Sequence, residues 1–241
     1  MAVNHLPDPR AATRRFFALV AIAFPLVIIA GFGPTYYLRP FFDAPPIPSM
    51  LVHFHGFLMT LWIALFIVQV YFISSRRIKL HQKLGIFGVI LGLLIIPTGL
   101  LTAVAAAKYG SPSTPAGFDP HAFMAVPFFD MVVFAPLLAG IVYYRKQPAN
   151  HKRLVLISVL NFVPPALGRI QIGWAQTLGP VFFLGLPDLI AIIFVIVDTW
   201  RHKKLNKVFL AATILLIVSH PIRILVSGTE TWLAFANWIT S

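Results

Sequence analysis

Seven apolar runs follow one another along this chain, separated by short polar or basic breaks. A helix crosses the hydrocarbon of a bilayer with about twenty apolar residues, and inside lipid only helices or closed barrels satisfy their own backbone polar groups. The runs lie near residues 16–38, 50–74, 84–107, 121–144, 154–174, 181–200 and 208–226. At 59% hydrophobic and 11% charged residues, with a mean hydropathy of +0.85, the chain lacks the polar shell a soluble core of this size needs. The expected fold is all-α: a single transmembrane domain over residues 1–241 with about seven transmembrane helices, its second to fifth helices forming a central four-helix bundle over residues 50–175.

The breaks carry the topology. Met1 to Thr13 is polar and proline-bearing and is expected to be a disordered arm. Arg14-Arg15-Phe16-Phe17 faintly resembles a twin-arginine export signal, but no small-residue cleavage site follows, so the first run is expected to be retained as a span. Pro40 to Pro48 predicts an extended loop, Lys108 to Pro120 the longest loop, and Pro164-Pro165 a kink in the fifth run. The tail from Thr229 is amphipathic, with Trp232 and Trp238 suited to an interface.

The formal charge of +12 is spread over these breaks rather than gathered on one polar surface, so it reports topology and argues against a nucleic-acid partner. Counted on alternate sides of seven spans, every Lys and Arg falls on one side except Arg39, Lys108, Arg169 and Arg223. The positive-inside rule then predicts a bacterial inner (cytoplasmic) membrane protein with its N-terminus inside and its C-terminus outside.

Histidines open four consecutive runs: His53 and His55, His81, His121 and His151. In that topology His53, His55 and His121 form an outer layer, while His81 and His151 form an inner one. Diagonal helices of an up-down bundle can then present an imidazole pair in each layer. An iron porphyrin takes one axial nitrogen from each face, so two bis-histidine haem b groups fit this pattern. On the second run His53 and His55 lie about 200° apart around a helix, so only one faces the bundle, and the small Gly56 at plus three favours His53. From His81 the same face carries Gly85, Gly88, Gly92 and Gly99, room for a flat ring or for close helix packing.

Other polar residues fit around these. Arg77 and Lys79, with Arg76 and Lys152, stand beside the inner histidines, where haem propionates or topology alone explain them. Arg169 lies about five turns from His151 on the same face and needs an anion: a propionate, a substrate or Asp130. Asp130 is the most buried acid expected. Asn161, Gln171 and Gln176 suit a quinone carbonyl or interhelical bonds. His220 is a minor candidate for the outer layer, and His5 and His202 are read as incidental.

With no cysteine, thiolate metal sites, disulfides, iron-sulfur clusters and C-x-x-C-H haem attachment are excluded, leaving His, carboxylate or Met to hold any metal. The leading expectation is a membrane b-type cytochrome moving single electrons between two layers, possessing a quinol, small reductant or redox protein as partner. The alternatives are an outer-face copper or zinc protein using His53, His55, His121 and His220, a proton-coupled permease using Asp130 and Arg169, and a cofactor-free structural or assembly subunit.

Two resemblances rest on particular motifs. His-Phe-His-Gly-Phe-Leu-Met at 53–59, Arg-Arg-Ile-Lys-Leu-His-Gln-Lys-Leu-Gly at 76–85 and His-Lys-Arg-Leu at 151–154 resemble an uncharacterised family of bacterial membrane proteins with a Leu-His-x-x-Leu-Gly element. The helix and histidine layout is similar to the ascorbate-reducible diheme cytochrome b family. That resemblance implies an outer haem on His53 or His55 with His121, an inner haem on His81 with His151, and Arg77 and Lys79 in the approach to His81. The extra C-terminal span and the paired His53 and His55 depart from that family's pattern.

Overall fold

The computed structural model describes residues 9–241 apart from 45, 48, 112, 113, 115, 116 and 171, with side chains described from residue 13 onward. Among the described residues the chain is all-helical, with no strand. Six helices are long and apolar enough to cross a membrane: Thr13–Tyr37, Met50–Ser74, Ile78–Tyr109, Pro120–Lys146, Pro180–His202 and Lys207–Ser227. The chain is therefore a multi-pass protein of the lipid bilayer.

The helices are α1 (Pro9–Phe32), α2 (Met50–Ser74), α3 (Ile78–Tyr109), α4 (Pro120–Phe123), α5 (Ala125–Tyr143), α6 (Pro148–Asn161), α7 (Pro164–Leu167), α8 (Gly173–Leu178), α9 (Pro180–Phe183), α10 (Gly185–His202), α11 (Lys207–Ser227) and α12 (Glu230–Thr240). α1 begins at Pro9, inside the arm expected to lack structure; residues 1–8, with His5, and Gln171 lie outside the described residues. Side chains close several helix starts. Ser49 accepts from the Val52 amide, Asp119 Oδ1 from His121 and Ala122 at 2.8 and 2.9 Å, Asn206 from Phe209 at 2.8 Å, and Thr229 from Trp232 at 3.2 Å. Each satisfies an amide that the first helical turn leaves without a partner.

The fifth apolar run differs from the rest. It forms α6, a break at 162–163, and α7, which opens with Pro164-Pro165. The break follows from chemistry: neither proline has an N–H to continue the α6 ladder, and the first ring crowds the turn before it. From Arg153 to Leu167 every residue except Val155 and Pro165 is buried. In the most apolar stretches of the six long helices only 22–39% of residues are buried. α6 packs against α5, α10 and α11, and α7 against α1 and α9, so this segment's core is shared with the last two long helices as well as with the expected central group. The α1 contact is backbone to backbone: a Cβ at Gly31 would collide with the main chain of Ala166.

α2 and α3 form the longest side-by-side pair, and α3 also packs on α5. One apolar cluster runs through α1, α2, α3, α5, α6, α7, α10 and α11, centred on Phe134, Ile157 and Leu216. A second, around Trp232, Ala236, Met124 and Ala125, seats α12 across the ends of α3 and α4. Two faces are thus defined, one carrying α12 and the other the basic turns after α2, α5 and α10.

Candidate functional site

At the basic face, the first turns of α3 and α6 bring His81 and His151 together. Their ring centroids are 6.2 Å apart, with planes at 89°. His151 Nδ1 lies 2.9 Å from the Ile141 carbonyl, which can only accept, so Nδ1 carries a hydrogen, and in the neutral imidazole Nε2 then keeps a bare lone pair. His81 Nδ1 is buried without a hydrogen-bond partner. Gln69, from α2, donates Nε2 to the His81 carbonyl at 3.2 Å, leaving its own Oε1 buried and unpaired. Unmet polar atoms of this kind are scarce in folded proteins, and each calls for an explanation. Arg76, Arg77 and Lys79 line an open groove on the adjoining turn, with the Arg77 guanidinium 5.8 Å from the Tyr71 ring centroid.

The outer histidines have separate partners. His55 Nδ1 is 3.1 Å from Thr98 Oγ1, whose own hydrogen goes to the Leu94 carbonyl at 2.7 Å, so the imidazole donates. By the same reasoning His121 Nε2 donates to Thr240 Oγ1 at 3.1 Å, because that hydroxyl is bonded to the Ala236 carbonyl. Trp232 adds a bond from Nε1 to the His121 carbonyl at 2.9 Å. His121 thus fastens α12. His53 is exposed beside Tyr36, their rings 6.1 Å apart. Of the two, between which the sequence leaves the choice open with a slight lean to His53, His55 is the inward residue, against Gly99 and Thr98.

The glycine stripe resolves in the same way. A Cβ at Gly88 would meet Leu65 at 2.9 Å, one at Gly92 would meet Leu138 at 2.7 Å, and one at Gly99 would overlap Met131 Sδ. Side chains of α2 and α5 fill the stripe, so it serves close packing and offers no bed for a flat ring. Gly85, one turn from His81, is the exception: its Cβ would meet only Gln69 Nε2, at 3.7 Å.

Buried ions form two further clusters. Asp130 is paired with Arg223 of α11, a partner the sequence reading had not assigned. The Arg223 side chain is fully buried and also reaches the Val126 and Ser219 carbonyls and Ser219 Oγ. Asn161 donates to the Asp130 carbonyl at 3.0 Å. One turn from Arg223, His220 Nδ1 stands 2.8 Å from Asp188 Oδ1 of α10. At the other end, Arg153 holds Asp198 through two bonds of 2.9 and 2.7 Å, with His202 3.4 Å from the same carboxylate. Arg169 is not the Asp130 partner; its guanidinium sits 4.4 Å from the Phe32 ring centroid and donates to the Pro165 carbonyl at 2.6 Å.

Among the described residues no three His or carboxylate side chains converge on a point that can hold a metal ion. The copper or zinc reading of His53, His55, His121 and His220 therefore lacks a coordination set, since His55, His121 and His220 each turn to a different neighbour. Arg223 and Asp188 were within reach of the sequence: His220 and Arg223 share a helix face in the seventh run, and such a pair inside a span calls for acids on its neighbours. In comparisons with known proteins, no family model, curated protein or solved structure matches the chain.

Proposed function

We propose that the chain is a membrane b-type cytochrome whose haem is clamped between His81 and His151 near the basic face. The observation that supports it is the approach of these two rings. A metal lies about 2 Å from each imidazole nitrogen, so two rings clamping one iron in line have centroids about 6 Å apart, against 6.2 Å here. The bare Nε2 of His151, backed by a carbonyl on Nδ1, has the form of an axial ligand held by an outer hydrogen bond. The free space at Gly85 and the unmet atoms of Gln69 and His81 lie around the same spot. Arg77 and Lys79 are the candidate partners for haem propionates.

A haem held by both His81 and His151 would supply one-electron transfer rather than oxygen chemistry. The electron donor is of the quinol or small-reductant class, and the acceptor a second carrier of the same kind. Of the resemblance to the diheme cytochromes the proposal keeps the inner pair alone, because His55 and His121 are engaged by Thr98 and Thr240. In this reading α6 and α7 together supply a seventh crossing, the basic face is cytoplasmic, and the membrane is the bacterial inner membrane.

The test is an absorption spectrum of the protein purified in detergent from haem-replete cells, before and after dithionite. A Soret band with a sharpened reduced α band, lost in both His81→Ala and His151→Ala, is expected. A haem-free wild-type protein, or a spectrum indifferent to both substitutions, overturns the reading.

A further inference from the structure

Near the α12 face lies a cluster of charges that electron transfer does not use: Asp130 of α5, Arg223 and His220 of α11, and Asp188 of α10. His220 is 2% exposed, and neither of its ring nitrogens has a well-formed hydrogen bond, although Nδ1 is 2.8 Å from Asp188 Oδ1. The contact is an ion pair when His220 carries a proton. Asn161, also buried, leaves Oδ1 unpaired beside Asp130. Asp188 is the partly open member, its side chain 17% exposed in the first turn of α10.

The charge count constrains what this cluster holds. Two carboxylates and one guanidinium leave one negative charge, and an uncompensated charge buried among membrane helices costs several kcal/mol. One proton on the His220–Asp188 pair cancels it. Among the described residues, Arg169 on the α7 and α9 side is a buried cation held at the Phe32 ring and the Pro165 carbonyl, and the other packed elements place no further charge at this level. α6 offers Asn161 there and keeps His151, Lys152 and Arg153 at its far end; α10 and α11 keep Asp198, Arg201, His202 and Lys207 at theirs; α4 and α12 bring His121 and Glu230 only to the rim.

We propose that His220 and Asp188, beside the Asp130–Arg223 pair, form a proton-binding site that exchanges with water on the α12 face. The proton arrives from water at the Asp188 carboxylate, passes to His220 Nδ1 and leaves by the same route, with no bond broken other than those to hydrogen. Asp130 and Arg223 act as positioning residues, because their mutual neutralisation leaves Asp188 as the charge His220 answers to. This stands independently of the haem reading.

The experiment is nitrogen NMR of histidine-labelled protein in lipid nanodiscs, with the His220 signal identified by its loss in His220→Gln. At neutral pH the wild type should show an imidazolium, both ring nitrogens protonated. Asp188→Asn should give a neutral imidazole at neutral pH. Asp130→Asn should do the same, since Arg223 then balances Asp188; a purely structural ion pair predicts no such transfer between helices. A neutral His220 in the wild type overturns the proposal, and that spectrum decides the matter even if a variant fails to fold. An imidazolium retained in both variants also overturns it.

Discussion

The two histidine layers are built from the same residue type at the same helical positions, yet they end differently. His55 and His121 each lie beside a threonine whose hydroxyl hydrogen is already committed to its own helix, and each imidazole donates to it. His81 and His151 meet no such hydroxyl. Their rings stand 6.2 Å apart with planes at 89°, His151 Nδ1 bonded to the Ile141 carbonyl and His81 Nδ1 and Gln69 Oε1 left unpaired. A histidine bonded to a fixed hydroxyl reads as scaffold; two rings that meet with a buried nitrogen left unpaired are the candidate site. The difference lies in what the facing helices supply.

The comparison can be broken or sharpened at several points. The largest effect belongs to the sealed scaffold around the outer layer. Asp130→Ala, which takes from the fully buried Arg223 the carboxylate it is bonded to, should cost about 3–5 kcal/mol, read as a lowered midpoint in detergent unfolding, while the double change Asp130→Leu with Arg223→Met should recover most of it. Packing comes next. Gly92→Leu pushes into Leu138 and should cost about 1–3 kcal/mol, whereas Gly85→Ala, with only Gln69 nearby, should leave the unfolding midpoint nearly unchanged. Thr98→Val removes the acceptor of His55 and should cost about 1 kcal/mol without altering the visible spectrum. His53→Ala, on an exposed side chain, should stay within about 0.5 kcal/mol of wild type in the same unfolding assay.

Much of the architecture was legible in the chain. The long apolar runs, the loop prolines and the break at Pro164 follow from length, hydropathy and proline chemistry, and the basic turns mark one face. The sequence was silent wherever a neighbouring helix decides. Which of His53 and His55 turns inward depends on the rotation of α2, and that helix is apolar all round, so its pattern names no face. The glycine stripe reads alike for a cofactor bed and for close packing; Leu65, Leu138 and Met131, from other helices, decide for packing. The fifth run shows the same limit. α6 is buried on every side, so no polar stripe distinguishes it from a lipid-facing span, and its role as the middle of the molecule emerges only from its neighbours.

The pairing of Asp130 with Arg223 was missed because the charge count treats each arginine as a marker of one side of the membrane. Arg223 is instead a buried partner within the bundle. The same holds for Arg153, which marks the basic side in the count but is spent on Asp198.

The most direct test is the dithionite difference spectrum of wild type beside His81→Ala, His151→Ala, His55→Ala and His121→Ala. The account predicts a bis-imidazole haem signal in the wild type, kept in the two outer variants and lost in the two inner ones. No haem in the wild type, or a signal that follows the outer histidines, contradicts it.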